Sequence, residues 1–595
     1  MISRAHIEPH SCVCHIDQEG IYNIYTAHQS PFRVRQAVSR ALNIPEHRIR
    51  VIIPFVGGGF GNRPVMIEPI ACLLAEKTGR PVKLILTRDE VFKILGVRPQ
   101  TKIIIKDGIT KDGKIIARYV RALFNLGAYA TDSPSIVVYP TFSAHALVQY
   151  KIPNLLYEGL SVYTNLPPAS AFRDIGIGIL DFAIERQMDI IAKKLGLDPI
   201  DFRLKNIVRK GEENILGEIV DYDYEKLLNI AKEYINKFKN YSRNDKSNAL
   251  IKRGYGMALV SKYSSAPTAS NALLRLREDG YIEIHVSAAE IGTGVTTILK
   301  QIVAEVLNFE DLSKIKISFT ANTDEPFDEG AFSSRVTVTL GKAVAIAAER
   351  LKEEILKYAA KVLNKSISDL DLYNGFIVDK KDKSIIISIE DLFAKDKIRT
   401  GAFLPDVGEF VSTANVYIPA GFDPDTGRVY DKYGKKVYER QSSFYTPAVA
   451  IAEVDVDEET GKVKVNKIVI AVDVGKAINP ANIEQQLIGQ ATMAISLVLF
   501  EELIYDEYGH ILNADFKDYK LIGIADVADT EIIPMILEES PLAHGPFGAK
   551  GVGEVAIGAV TAAVANAIAN AINNDNIRKI PITPEYILKV IDKVK

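Results

Sequence analysis

The sequence predicts a mixed α+β protein, and three observations carry that reading. Strand-like stretches close on Asp-Gly or Thr-Gly turns, and amphipathic helical stretches lie between them. The two kinds alternate without the regular spacing of a β–α–β repeat. The chain has 595 residues, 47% hydrophobic and 25% charged. That is length for roughly three or four ordinary domains, with a core large enough to hold an internal cleft.

In chain order, the first amphipathic helix is expected over 33–42 (RVRQAVSRAL). The apolar run VIIPFV leads into Gly57-Gly58-Gly59-Phe60-Gly61, with a helix expected over 68–77. Residues 102–123 alternate as strand and are broken by two Asp-Gly turns, and 181–196 reads as a long helix. The most polar stretch, 238–254, is the expected linker and divides the chain into 1–240 and 241–595. Beyond it come a hairpin over 273–288 around Asp279-Gly280, a helix over 297–308, and a hairpin over 450–473 turning at Thr460-Gly461. The apolar run 555–572 is rich in Ala and contains Gly, Thr and Asn, which suits a buried helix better than a membrane span.

Composition narrows the function. Lys+Arg 72 against Asp+Glu 75 leaves a formal charge of −3, without the basic excess of a nucleic-acid binder. Three cysteines make no disulfide framework and cannot alone ligate a four-cysteine iron–sulfur cluster. His10, Cys12, Cys14 and His15 look like metal ligands, but strand alternation would place both cysteines on one buried face instead. The first residues lack a basic region followed by an apolar stretch, so a cytoplasmic protein is expected. Few Cys and Met, no Trp, and many Lys, Glu and Ile lean toward a hot-adapted host.

Five segments carry candidate chemistry. The glycines at 57–61 allow close backbone approach to an anionic ligand, yet match neither dinucleotide nor P-loop spacing. Arg173 sits in a Pro/Gly-punctuated loop before a helix, where it could grip a phosphate or form a surface ion pair. Glu554 follows four glycines and opens the Ala-rich helix, either as a helix-terminal charge or as a general base at a cleft. Segments 290–308 with 328–344, and 472–490, pair glycines with hydroxyl and amide side chains suited to hydrogen-bonding a polar cofactor.

Taken together and in order, these segments resemble the molybdenum-binding large subunit of the xanthine dehydrogenase and aldehyde oxidase family. The marks are HIEP at 6–9, the glycine stretch with Phe60, AFR ending at Arg173, Ser334-Arg335, Asn479-Pro480 and GAKGVGE ending at Glu554. The resemblance implies two large mixed α/β molybdopterin-binding domains with the cofactor buried at their interface. It implies a hydroxylase that takes oxygen from water and passes hydride to a molybdenum sulfido group. Glu554 would then be the catalytic base. Gln29, which lies 31 residues before Phe60, would sit near the metal's oxo group. Cofactor contacts would come from Gly59, Phe60, Gly61, Arg173, Gly292, Thr293, Gly294, Ser333, Ser334, Gln486 and Gly551. Thr293 stands where many relatives have Gln. Molybdenum would be held through molybdopterin, in its simple or cytosine dinucleotide form, with no protein ligand.

Substrate positions depart from the purine-oxidising relatives. Pro64 replaces their Glu, Thr141 their Arg, and Ile175 and Lys262 their two ring-sandwiching Phe residues. Asp174 replaces the Cys of carbon monoxide-oxidising relatives. An aldehyde is the expected substrate, with N-heterocycles and aromatic thioesters behind it and a degenerate scaffold as the non-catalytic alternative. The resemblance also implies an iron–sulfur small subunit and an FAD medium subunit as partners carrying [2Fe-2S] and FAD. The resemblance places the start of the chain inside the domain that follows the family's hammerhead domain, so either a separate chain supplies that domain as a further partner or the reading frame is truncated.

Overall fold

The computed structural model describes residues 1–61, 63–129, 135–242, 250–264, 268–317, 321–400, 408–418 and 441–592. Near the amino terminus, Tyr22–Thr26 and Ile49–Ile53 are parallel neighbours joined by the helix Pro31–Leu42. A parallel pair needs such a crossover, and it leaves both carboxyl ends at the same edge of the sheet. That geometry brings Gln29, just past one strand, beside 57–61, just past the other. Ser11–Ile16 and Val82–Ile85 extend the sheet on one side, and Ala321–Asn322 closes the other. Cys12 and Cys14 lie buried as free thiols on the inner face of Ser11–Ile16.

A second sheet runs in the order Glu531–Leu537, Val463–Asp473, Tyr445–Asp457, Ile251–Tyr263. Against it lies the Ala-rich helix Val555–Ala571, buried along nearly its whole length. Small residues make the close fit possible. A Cβ at Gly256 would lie 2.2 Å from Ala567 N, and one at Gly254 2.1 Å from Ala567 O. The other flank of this helix meets Ile177–Leu195, where Gly558 lies against Gly178. A third sheet, centred on Thr268–Arg277, is crossed by the 28-residue helix Val336–Leu363.

The expected helices over 33–42, 68–77, 181–196, 297–308 and 555–572 all form, as do the hairpins over 273–288 and 450–473. One turn differs. Of the two Asp-Gly pairs within 102–123, only Asp112-Gly113 turns the chain, while Asp107-Gly108 stays inside the strand Thr101–Ile109. Asp107 is buried and paired with Arg118 of the facing strand at 2.6 Å, so a cross-strand ion pair overrides the local turn preference. The polar stretch 238–254 begins inside the helix Tyr224–Ser242 and ends inside Ile251–Tyr263, with 243–249 outside the described residues. Among the described residues no helix is long and apolar enough to cross a membrane.

Candidate active site

The glycine stretch 57–61 is held from beneath by the segment around residues 6–8. Glu8 accepts from Gly57 N at 2.7 Å and from Arg63 Nη2 at 3.0 Å, while His6 Nε2 meets Gly59 O at 2.9 Å. Burial and the nearby Arg63 keep His6 well below the ordinary histidine range, so its neutral ring is the donor to that carbonyl. Gly61, at φ 122, lies so close to the next loop that a Cβ would come within 2.2 Å of Ala171 O. Arg173 N donates to Phe60 O at 2.8 Å and zips the two loops together.

The Arg173 side chain donates to Gly553 O at 2.6 Å and to Gln486 Oε1 at 2.8 Å. Burial pulls its guanidinium down to about 10, against the pull of Glu554 and Asp174, so it stays charged at neutral pH. Gln486 comes from the helix Pro480–Leu499, whose start is fixed by Asn479: its side chain accepts from Asn482 N, and Pro follows at the first helical position. Consecutive left-handed residues Ser333 (φ 54) and Ser334 (φ 59) turn the chain beside Gly551, where a Cβ would stand 1.9 Å from Ser334 O. Arg335 anchors that turn through Asp328 at 3.0 Å and Gly330 O at 2.9 Å.

These segments converge on one cavity of about 510 Å³. Among the expected cofactor contacts, Gln29, Gly59, Phe60, Gly61, Arg173, Gly292, Thr293, Ser333, Ser334, Gln486 and Gly551 line it. Gly294 does not. It starts the helix Val295–Leu307, and a Cβ there would strike Asn482 Nδ2 at 2.4 Å. Lys476, Asn479, Asn482 and Lys550 also line the cavity without having been expected. The Asn-Pro helix start was the sequence signal for Asn479 and Asn482. The two lysines lie within marked segments, Lys476 in 472–490 and Lys550 in GAKGVGE, but neither was singled out. Glu290, also not expected, organises the Gly292-Thr293-Gly294 turn by accepting from all three amides at 2.9–3.1 Å.

Glu554 also lines the cavity. It occupies the position before the Ala-rich helix, yet its side chain makes no capping bond. The helix amides are satisfied elsewhere: Gln490 Oε1 accepts from Ala556 N at 2.8 Å and Asp174 Oδ2 from Gly558 N at 3.0 Å. The carboxylate instead meets Lys262 Nζ at 2.7 Å. Asp174 is buried beneath this corner, and burial pushes its carboxyl up to about 6. Pro64, Thr141 and Ile175 do not line the cavity, and Lys262 reaches it only through Glu554.

Models of the molybdopterin cofactor-binding domain match residues 1–207 and 230–528. The xanthine dehydrogenase molybdenum-binding subunit of Escherichia coli O157:H7 is 31% identical over 99% of this chain and 75% of its own length. The chain belongs to the xanthine dehydrogenase and aldehyde oxidase family of molybdenum-binding subunits. Another relative is the nicotine 6-hydroxylase large subunit of Paenarthrobacter nicotinovorans, 26% identical over 99% of this chain and 72% of its own length. Quinoline 2-oxidoreductase from Pseudomonas putida 86 superposes with a TM-score of 0.87, at 26% identity over the whole of this chain and 75% of that one.

The residues present fit the cofactor of that family. Gln29 donates through Nε2 to Ala331 O at 2.5 Å, while its buried Oε1 has no partner among the described residues. Ser334 Oγ is likewise buried and unpaired. Unpaired buried polar atoms cost on the order of 1–3 kcal/mol each, so a cavity wall carrying them is shaped for a polar ligand. Ile291, Ile298, Ile478 and Ile483 line the same cavity and add apolar surface for a planar ring.

Proposed function

We propose that this chain is the catalytic subunit of a molybdenum hydroxylase that converts an aldehyde to its carboxylic acid, with Glu554 as the proton acceptor. The observation that carries the reading is the state of Glu554. Its helix is capped by Gln490 and Asp174, so the carboxylate is free of capping duty and stands at the cavity wall, paired with Lys262. A residue kept there only as a helix-terminal charge would itself accept from the first-turn amides.

Molybdopterin, when bound, supplies the two-electron acceptor and the oxygen-transfer centre. This chain's residues hold and orient it. Gln29, the backbone at 59–61 and the Ser333-Ser334 turn would hold its polar edges, and Arg173 and Gln486 bound the same space. Glu554 removes the proton from the attacking oxygen. The two halves 1–240 and 241–595 enclose the group between them. Electrons would leave to an iron–sulfur small subunit and an FAD medium subunit, since the three cysteines here are buried thiols, too few for a four-cysteine cluster.

Aldehyde rather than purine is favoured by the sequence alone: Pro64, Thr141, Ile175 and Lys262, none of which lines the cavity, stand where purine-oxidising relatives carry an acid, a guanidinium and an aromatic pair. An N-heterocycle is the second reading, favoured by the quinoline and nicotine hydroxylases among the relatives. Steady-state kinetics of the holoenzyme on aldehydes, N-heterocycles and purines should give the highest kcat/KM on an aldehyde. Preference for xanthine or quinoline would replace that substrate class. Glu554→Gln should keep its molybdenum and lose about 10²–10⁴-fold in kcat. Full turnover in that variant would remove Glu554 as the base.

A further inference from the structure

Lys262 lies near the end of the strand Ile251–Tyr263, opposite Thr446. Thr446 Oγ1 donates to Gly551 O at 2.8 Å, so the same strand pair that carries the lysine pins the glycine turn before Glu554. Among the described residues the ammonium lies against Glu554 Oε2 at 2.7 Å, Tyr263 O at 2.6 Å and the Tyr263 ring at 4.2 Å from its centroid, with Asp174 and Asp181 within electrostatic reach. Its side chain is 2% exposed and that of Glu554 15%. Lysine is among the residues least often buried without a partner, and here the partner is the residue assigned as base.

We propose that Lys262 is a positioning residue for Glu554, fixing the rotamer of its carboxylate by a direct ion pair at the cavity wall. The inference rests on the reading of Glu554 given above. Oε2 is sealed from solvent and faces the ammonium as an ion pair without hydrogen-bond geometry, which leaves Oε1 as the oxygen on the cavity side. Other groups around the pair do not replace this cation. On the loop before Ile177–Leu195, Arg173 is directed to Gly553 O and Gln486, and Asp174 is anionic or neutral. Within that helix burial pushes the Asp181 carboxyl well above the usual carboxylate range. His145, in the short helix Ala144–Leu147, stacks on Tyr263 and is kept neutral by burial, down at about 3. Tyr263 stays protonated as well. Lys262 is therefore the cation in direct contact with Glu554.

Two readouts test this on the full chain. Difference infrared spectroscopy of the carboxyl region, with Glu554→Gln as the subtraction reference, follows protonation at Glu554 with or without cofactor. In the holoenzyme, the acidic limb of the kcat/KM–pH profile follows the same group in turnover. In Lys262→Met both midpoints should move up by about one to two pH units, because a neighbouring cation has been removed. At a pH below both midpoints, each unit lowers the ionised fraction, and with it kcat/KM, about tenfold. Lys262→Arg keeps the charge and should restore the wild-type midpoints. Unmoved midpoints in a folded Lys262→Met would overturn the proposal. If the methionine variant does not fold, Lys262→Arg and Lys262→Gln decide it: equal midpoints in those two would overturn it equally. Should Glu554→Gln stay active while the infrared midpoint still moves in Lys262→Met, the base assignment fails and the ion pair stands.

Discussion

Two corners of the cavity are built in opposite ways. The corner holding Gln29 and 57–61 is made by one stretch of chain, in which strand, helix and strand bring two loops to the same sheet edge. The corner holding Glu554 is assembled from distant parts: a strand ending near Lys262, the loop at 173–174, the helix Pro480–Leu499 and the turn at 550–554. The first depends on local backbone conformation. The second depends on buried charges whose partners lie hundreds of residues away. Substitutions that act on backbone geometry should therefore injure the first most, and substitutions that change charge should expose the second.

The largest stability effect is expected where the two corners touch. Gly61→Ala would place a Cβ within 2.2 Å of Ala171 O, at a φ of 122 that L side chains rarely adopt. Backbone strain and overlap with an immobile carbonyl together should cost about 4 kcal/mol. The bond from Arg173 N to Phe60 O would be lost, and Arg173 would move with it. Chemical denaturation measures the loss and metal analysis measures cofactor retention. A fully stable, molybdenum-replete Gly61→Ala would show that the loops are not locked together as described.

The next effect belongs to the second corner and depends on pH. Asp174 is raised by burial from 3.8 to about 6, so the folded state holds its proton more tightly than the unfolded state does. Its contribution is fully present below about pH 4 and is lost as the pH rises through 6. Asp174→Asn keeps an oxygen for Gly558 N and cannot ionise. Between pH 4 and 7 the wild type should lose about 2–3 kcal/mol of stability relative to this variant. Denaturation curves across that range check it, and parallel pH profiles for the two proteins would contradict it.

The same division explains what the sequence made legible. Helices with continuous 3.6-residue periodicity and hairpins with a Gly turn were readable because their cause is local. The 31-residue offset between Gln29 and Phe60, which came from the family resemblance, also spans a local unit, the helix joining one parallel strand pair. Asp107-Gly108 misled because Arg118, which holds Asp107 in its strand, sits across the sheet. The role of Glu554 stood undecided between helix cap and base because its rivals for the capping duty, Gln490 and Asp174, are far away in sequence. Lys262 read as an unexplained replacement in a ring-binding position, and its contact with Glu554 emerges only when a strand end and a glycine turn meet.

The smallest effect separates the corners most cleanly. Glu8 is 31% exposed and holds the glycine stretch through Gly57 N and Arg63. In Glu8→Gln the amide oxygen can still accept from Gly57 N, but the charge-assisted part of both contacts is gone. The expected loss is about 1 kcal/mol. Because the strand–helix–strand unit sets the loop's position, the damage should stay local: faster amide exchange over 57–61, with 550–558 unchanged. Hydrogen exchange resolves the two segments. Equal deprotection of both would mean that the corners open as one unit, and the contrast between a locally built corner and a distributed one would then lose its energetic meaning.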